Sequence, residues 1–148
     1  MAFYNRKKLE LQAALEKLEM AERRVRELEE DFRAVDQAIA LLFMSRDGII
    51  ESVNALFLDL LGYESHQLVS QHHRIFCPSE YAKSEEYVKF WRELVTGNVK
   101  QGVFPAIHAC GHTVWLEARY SPVMSEQGMA RRVIAMVSGA RTVERAEG

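Results

Sequence analysis

Between Asn5 and Gln37 the chain holds neither glycine nor proline, and its apolar or small residues recur at alternating spacings of three and four. Leu11, Ala14, Leu18, Ala21, Val25, Leu28, Phe32, Val35, Ile39 and Leu42 fall on the a and d sites of consecutive heptads. A repeat of about 3.5 residues keeps one apolar stripe facing a partner helix, so the pattern predicts a coiled coil. In a parallel pair each g residue meets the e residue five positions on. Lys17 then faces Glu22 and Arg24 faces Glu29, which favours a parallel homodimer, while Asp31 opposite Asp36 loosens the last heptad. The competing reading is a lone amphipathic helix packed on its own domain, although lone helices are marginal in water.

Every glycine and proline lies beyond this stretch. The organisation we read is therefore a dimerisation helix over residues 1–37, a globular domain over 38–141 and a short tail over 142–148. Ala38 to Met44 and Ile49 to Val53 are apolar runs flanking Ser45-Arg46-Asp47-Gly48, a hairpin signal because both Asp and Gly tolerate positive φ. Asn54 caps a helix carrying Leu56, Phe57, Leu60 and Leu61 on one face, and Gly62 ends it. A shorter polar helix covers Ser65 to Gln71. Ser84 caps a third helix, to Val95, whose apolar stripe is Tyr87, Val88, Trp91, Leu94 and Val95. Three strands follow, Val103 to His108, Thr113 to Val123 and Arg132 to Val137. The order β-β-α-α-α-β-β-β predicts an α+β fold with an antiparallel sheet and helices over one face.

A formal net charge of -2 offers no basic field for nucleic acid, and no apolar stretch approaches the ~20 residues of a membrane helix. The N-terminus lacks the apolar core of a secretory signal, so a cytoplasmic location is expected. Cys77 and Cys110 are widely spaced and read as free thiols. There is no nucleophile elbow, Gly-rich phosphate loop, HExxH motif or plausibly spaced carboxylate pair, so no enzyme activity is expected.

Asp47-Gly48-Ile49-Ile50 to Val53-Asn54-Ala55-Leu56-Phe57, then Leu61-Gly62-Tyr63, then Gln71-His72-His73-Arg74-Ile75-Phe76, resemble a PAS domain of the chemoreceptor and aerotaxis type. Phe90-Trp91-Arg92-Glu93-Leu94 with Gly97, and Val114 to Val123, are similar to the later helix and hairpin of that subgroup. The likeness covers residues 38 to 137. It implies a five-stranded antiparallel sheet, helices over one face, and a ligand cleft between them. Relatives usually carry glycine where Ser70 stands, a basic residue at Pro105-Ala106, and an Asp-Ile-Thr-like linker where Ser138-Gly139-Ala140-Arg141 stands.

The resemblance also implies a set of site residues. In the light-sensing flavin subgroup the helix matching Gln71-His72-His73-Arg74 holds a photoreactive cysteine followed by an arginine that meets the cofactor phosphate. His73 takes the cysteine's place, which excludes a flavin adduct but not a redox-active FAD, and Arg74 matches the arginine. Trp91 would flank the ring system and Asn54 would hydrogen-bond the ligand or only cap its helix. Haem is the alternative, with His72 or His73 as axial ligand. The blander reading has the histidines capping helices or facing solvent, Arg74 pairing a glutamate and Trp91 in plain core, which leaves a ligand-free dimerisation domain. His108, Cys110 and His112 surround a turn and read as solvated loop rather than a metal site. The function implied is a sensory module, redox- or oxygen-responsive through a cofactor, signalling to a downstream domain or protein through its dimeric helix.

Overall fold

The computed structural model describes residues 1–142. The glycine-free stretch forms α1 (Ala2–Ala38), a single helix in which no residue is buried. Its seam residues Leu11, Leu18, Val25, Leu28, Phe32 and Val35 are 47–61% exposed. Residues 1–38 are one compact unit and the chain from Ile39 onward is the other. The heptad pattern outruns the helix by two positions. Ile39 follows its end, and Leu42 is a fully buried strand residue, because the sheet captures it first. No helix among the described residues is long and apolar enough to cross a membrane.

In the second unit, β1 (Ala40–Ser45) and β2 (Ile50–Val53) form the hairpin, with Leu42 opposite Val53. Gly48 turns it at φ 85°, and the Ser45 hydroxyl accepts from the amides of Asp47 and Ile49. Asn54 then starts α2 (Ala55–Leu61) by accepting from Phe57 N at 3.0 Å. Gly62, at φ 75°, stops the helix by donating to Leu58 O. Next come α3 (Ser65–Leu68), a 3-10 turn (His73–Phe76), α4 (Ser79–Ala82) and α5 (Glu85–Val95), the last capped by the Ser84 hydroxyl. β3 (Lys100–Ile107), β4 (Thr113–Met124) and β5 (Ala130–Thr142) complete a sheet of order β2-β1-β5-β4-β3 with every neighbour antiparallel.

Leu42, Met44, Leu116, Ala118, Tyr120, Val133, Ala135 and Val137 line the inner sheet face. Phe57, Leu61, Leu68, Phe76, Phe90 and Leu94 cover it from the helices. Each large side chain so buried contributes roughly 1.5–3 kcal/mol relative to exposure.

Four local expectations shift. The buried stripe of α5 is Tyr87, Phe90 and Leu94, with Val88 55% exposed and Trp91 half-buried, so the helix is rotated from the face its sequence favours. The rotation places Phe90 among the rings of Phe104 and Tyr120. The helix expected over Ser65 to Gln71 stops at Leu68, and the 3-10 turn and α4 fill a stretch with no periodicity to mark them. β3 starts at Lys100 rather than Val103, because Lys100, Gln101 and Gly102 pair with Tyr120, Arg119 and Ala118. β5 runs to Thr142 rather than Val137, because β4 pairs it as far as Val114 opposite Thr142. Of the tail read at 142–148, only Thr142 lies within the described residues.

Candidate functional site

The segment after α3 docks as an extended strip on the hairpin. Ser70 N donates to Ile50 O, Ile50 N to Gln71 O and His73 N to Gly48 O, each at 2.8 Å. Ser70 holds φ 73°, the left-handed conformation that explains why glycine suits this position. Extended backbone sends successive side chains to opposite sides. The paired histidines therefore part company: His72 is half-buried at the surface and His73 is 3% exposed in the core.

His73 bridges the two layers of the fold. Its Nδ1 lies 2.8 Å from the hydroxyl of Tyr87 on α5, and its Nε2 lies 2.9 Å from the hydroxyl of Tyr120 on β4. Cys77 Sγ sits 3.5 Å from the same Nδ1. Burial, with a smaller contribution from neighbouring His72, lowers the His73 pKa to about 3, so the imidazole is neutral. Burial likewise raises the Tyr87 and Tyr120 hydroxyls and pushes the Cys77 thiol up to about 12. These groups exchange hydrogen bonds and hold no charge at neutral pH.

His72 accepts from Arg74 N at 3.1 Å through Nδ1 and so caps the 3-10 turn. Its ring meets Trp91 edge-on, with centroids 5.9 Å apart. Its pKa is lowered by partial burial and then by the Arg74 charge, against the pull of the Asp47 backbone. Gly48 is required beneath this pair: a Cβ there would stand 2.7 Å from His72 Nε2 and 3.1 Å from Trp91 Cζ2. Trp91 Nε1 is buried without a hydrogen bond of good geometry. Arg74 is exposed and makes no ion pair among the described residues, so the glutamate partner of the blander reading is absent there.

Asn54 engages other groups. Its Oδ1 accepts from Leu41 N and Phe57 N, and its Nδ2 donates to Ile39 O at 2.8 Å. The amide thus ties the start of β1 to the start of α2. The structure brings His72, His73, Arg74 and Trp91 into one neighbourhood, while Asn54 is committed to backbone. His108 and His112 stack at 4.4 Å beside exposed Cys110.

Sequence reasoning missed Tyr87 and Tyr120 as partners of His73. A signal was present: Tyr120 alternates with Val114, Leu116 and Ala118 on an apolar strand face, and a buried phenol needs a hydrogen-bond partner.

The rings around His73 decide whether a planar cofactor fits. Phe76 lies 4.7 Å away, Tyr120 5.4 Å, Trp91 5.6 Å, Tyr87 5.8 Å and Phe90 6.3 Å, centroid to centroid. Phe90 and Tyr120 are 5.0 Å apart. A flat ring slipped between two others needs about 7 Å, twice the optimal carbon contact. As packed, the cleft fits neither an isoalloxazine nor a haem plane. The neutral His73 imidazole is the form that ligates iron, yet both its nitrogens are taken by tyrosines.

Residues 50–137 match a family model described as the PAS fold. Over 112 residues, 76% of this chain, the sequence is 33% identical to the biofilm dispersion protein BdlA of Pseudomonas aeruginosa, and it spans 27% of that protein's length. Among solved structures, the PAS domain of a Colwellia psychrerythraea protein superposes with a TM-score of 0.65 at 18% identity, covering 78% of this chain and 96% of that one. A light-oxygen-voltage protein of Rhodobacter sphaeroides gives 0.61 at 14% identity, covering 80% and 70%.

Proposed function

Because the chain belongs to the PAS family, whose domains are sensory rather than catalytic, we propose that it is a sensory module whose input acts on the His73 bridge. The observation that carries this reading is a single neutral imidazole hydrogen-bonded to Tyr87 on the helical roof and Tyr120 on the sheet. Whatever enters the cleft must part that bridge, and parting it frees two buried hydroxyls that must find new partners or move. Occupancy is thereby converted into a shift between helices and sheet, the kind of two-state bias on which a signalling domain depends.

The output is a parallel homodimer through α1, whose apolar seam is exposed in the single chain. It passes the signal to a downstream domain or protein. Two unpaired cysteines suit a reducing, cytoplasmic setting. Redox or oxygen sensing through FAD, which the family resemblance implies, requires the His73, Tyr87 and Tyr120 rings to separate first, and so does haem.

Absorption spectroscopy and denaturing mass spectrometry of the purified full chain test the reading, before and after incubation with FAD or haemin. Flavin bands, a Soret band or a colourless retained compound, each altered in His73→Ala, is the expected class of result. A chain that retains and takes up nothing overturns the sensory reading and leaves a bare pairing module. For the output, Val25→Asp is expected to convert a dimer to a monomer in sedimentation; an unchanged mass rejects α1 as the interface.

A further inference from the structure

The chain turns sharply between Leu68 and Gln71, and it does so with serine where the geometry favours glycine. Val69 holds φ -60° and ψ 134°, Ser70 holds φ 73°, and Gln71 N donates to Leu68 O at 3.0 Å. An extended residue followed by one with positive φ makes a type II turn, whose third position suits glycine. Ser70 is the one non-glycine residue with positive φ among the described residues. Its Cβ strains the docked backbone, and the strain vanishes once φ returns to negative values.

The strip that leaves this turn has few other anchors. Its three backbone hydrogen bonds run to Gly48 in the β1–β2 turn and to Ile50 on β2, the edge strand of the sheet. Between buried Leu68 and buried Phe76, His73 is the one buried side chain. The two partners of His73 are held better. Tyr120 lies on β4, which is hydrogen-bonded along both edges, and Tyr87 lies on α5, which also buries Phe90 and Leu94. Parting the bridge thus leaves the strip on three hydrogen bonds beside a strained turn, while roof and sheet keep their own packing.

We propose that Ser70–His73 is a strap, hinged in the Leu68–Gln71 turn, and that it, rather than α5 or β4, swings away when the cleft opens. This rests on the reading of His73 as the input bridge and names the part that moves. Ser70 sets how often it moves. Release relieves the left-handed backbone and so raises the released population, whereas glycine at this position keeps the strap shut.

Amide hydrogen exchange of the free full chain, resolved residue by residue by NMR, tests the strap. The amides of Ile50, Ser70 and His73 are expected to exchange through local opening, faster than the paired amides of β4 and β5 that report global unfolding. Ser70→Gly is expected to slow these three roughly three- to tenfold relative to β4 and β5, the effect of relieving a strained backbone. Ser70→Ala keeps a Cβ and is expected to leave them within about twofold of the wild type. Tyr120→Phe removes one hold on His73 and is expected to speed them about threefold or more on the same scale. Strap amides unchanged in Ser70→Gly, or changed only as much as those of β4 and β5, overturn the proposal. So does a Tyr120→Phe chain in which α5 speeds up and the strap does not, since the roof would then be the moving part. The exchange is read on the free protein, so a chain that takes up no ligand defeats the sensory reading and leaves the result on the strap standing.

Discussion

The two units of the chain use the same apolar residue types to opposite ends. In α1, leucine, valine and phenylalanine at seam positions stay about half exposed; in the domain, Leu42, Phe57, Leu61 and Leu94 are at most 1% exposed. One unit closes its own core. The other keeps its seam exposed in the single chain, where local helical propensity and ion pairs such as Arg24–Glu27 support the helix. Periodicity explains the difference: a heptad stripe has no second layer in its own segment to cover it, whereas alternating strands and short helices supply each other's cover.

Truncation in each unit breaks or upholds this contrast most strongly. Phe57→Ala, which removes a ring packed 5.6 Å from Phe76, is expected to cost about 3–5 kcal/mol in denaturant unfolding followed by tryptophan fluorescence. Both tryptophans belong to the domain, so Leu28→Ala is expected to leave that transition where it is. Equal shifts from the two substitutions would show that the units share one cooperative transition.

Acid sharpens the contrast next. His73 has a folded pKa of about 3 against an unfolded value of about 6.5. The unfolded chain therefore binds the extra proton, and the stability contributed by neutral burial is complete above pH 6.5. It is lost as pH falls towards 3, at up to about 1.4 kcal/mol per pH unit. His72, also lowered, adds in the same direction. α1 contains no histidine. Domain unfolding measured from pH 7 to 4 should carry this slope in the wild type and a much flatter one in His73→Gln; identical slopes would remove His73 as the titrating group.

The smaller effects come last. Gly48→Ala forces a Cβ into the His72 ring at a positive φ, and roughly 1–3 kcal/mol of lost domain stability is expected. On α1, Glu10→Gln removes an exposed pair with Lys7 at 3.9 Å and is expected to change the helix signal in circular dichroism by less than about 0.5 kcal/mol equivalent.

Much of this fold is legible in the chain because its signals are local. The Asp47-Gly48 turn, the Asn54 and Ser84 caps and the Gly62 stop each act within four residues. The family resemblance supplied the five-stranded sheet and the neighbourhood of His72, His73 and Arg74. What stayed hidden depends on distance along the chain. His73 meets Tyr87 and Tyr120 across separations of 14 and 47 residues, and no pattern within Gln71 to Arg74 says which histidine turns inward. The strip of hydrogen bonds to Gly48 and Ile50 decides that. The ends of β3 and β5 were equally invisible, since Lys100 and Ser138 to Thr142 have weak strand character and become strands only because β4 lies beside them.

A neutral imidazole has one nitrogen that gives a proton and one that takes it. With Tyr87 on one nitrogen and Tyr120 on the other, the bridge has a polarity: one phenol must point its hydrogen at the ring and the other must turn its hydrogen away. Exchanging the tautomer reverses both hydroxyls without moving a heavy atom. The middle of this domain therefore has two electrostatically distinct arrangements of equal shape, told apart by which phenol gives its hydrogen to the ring.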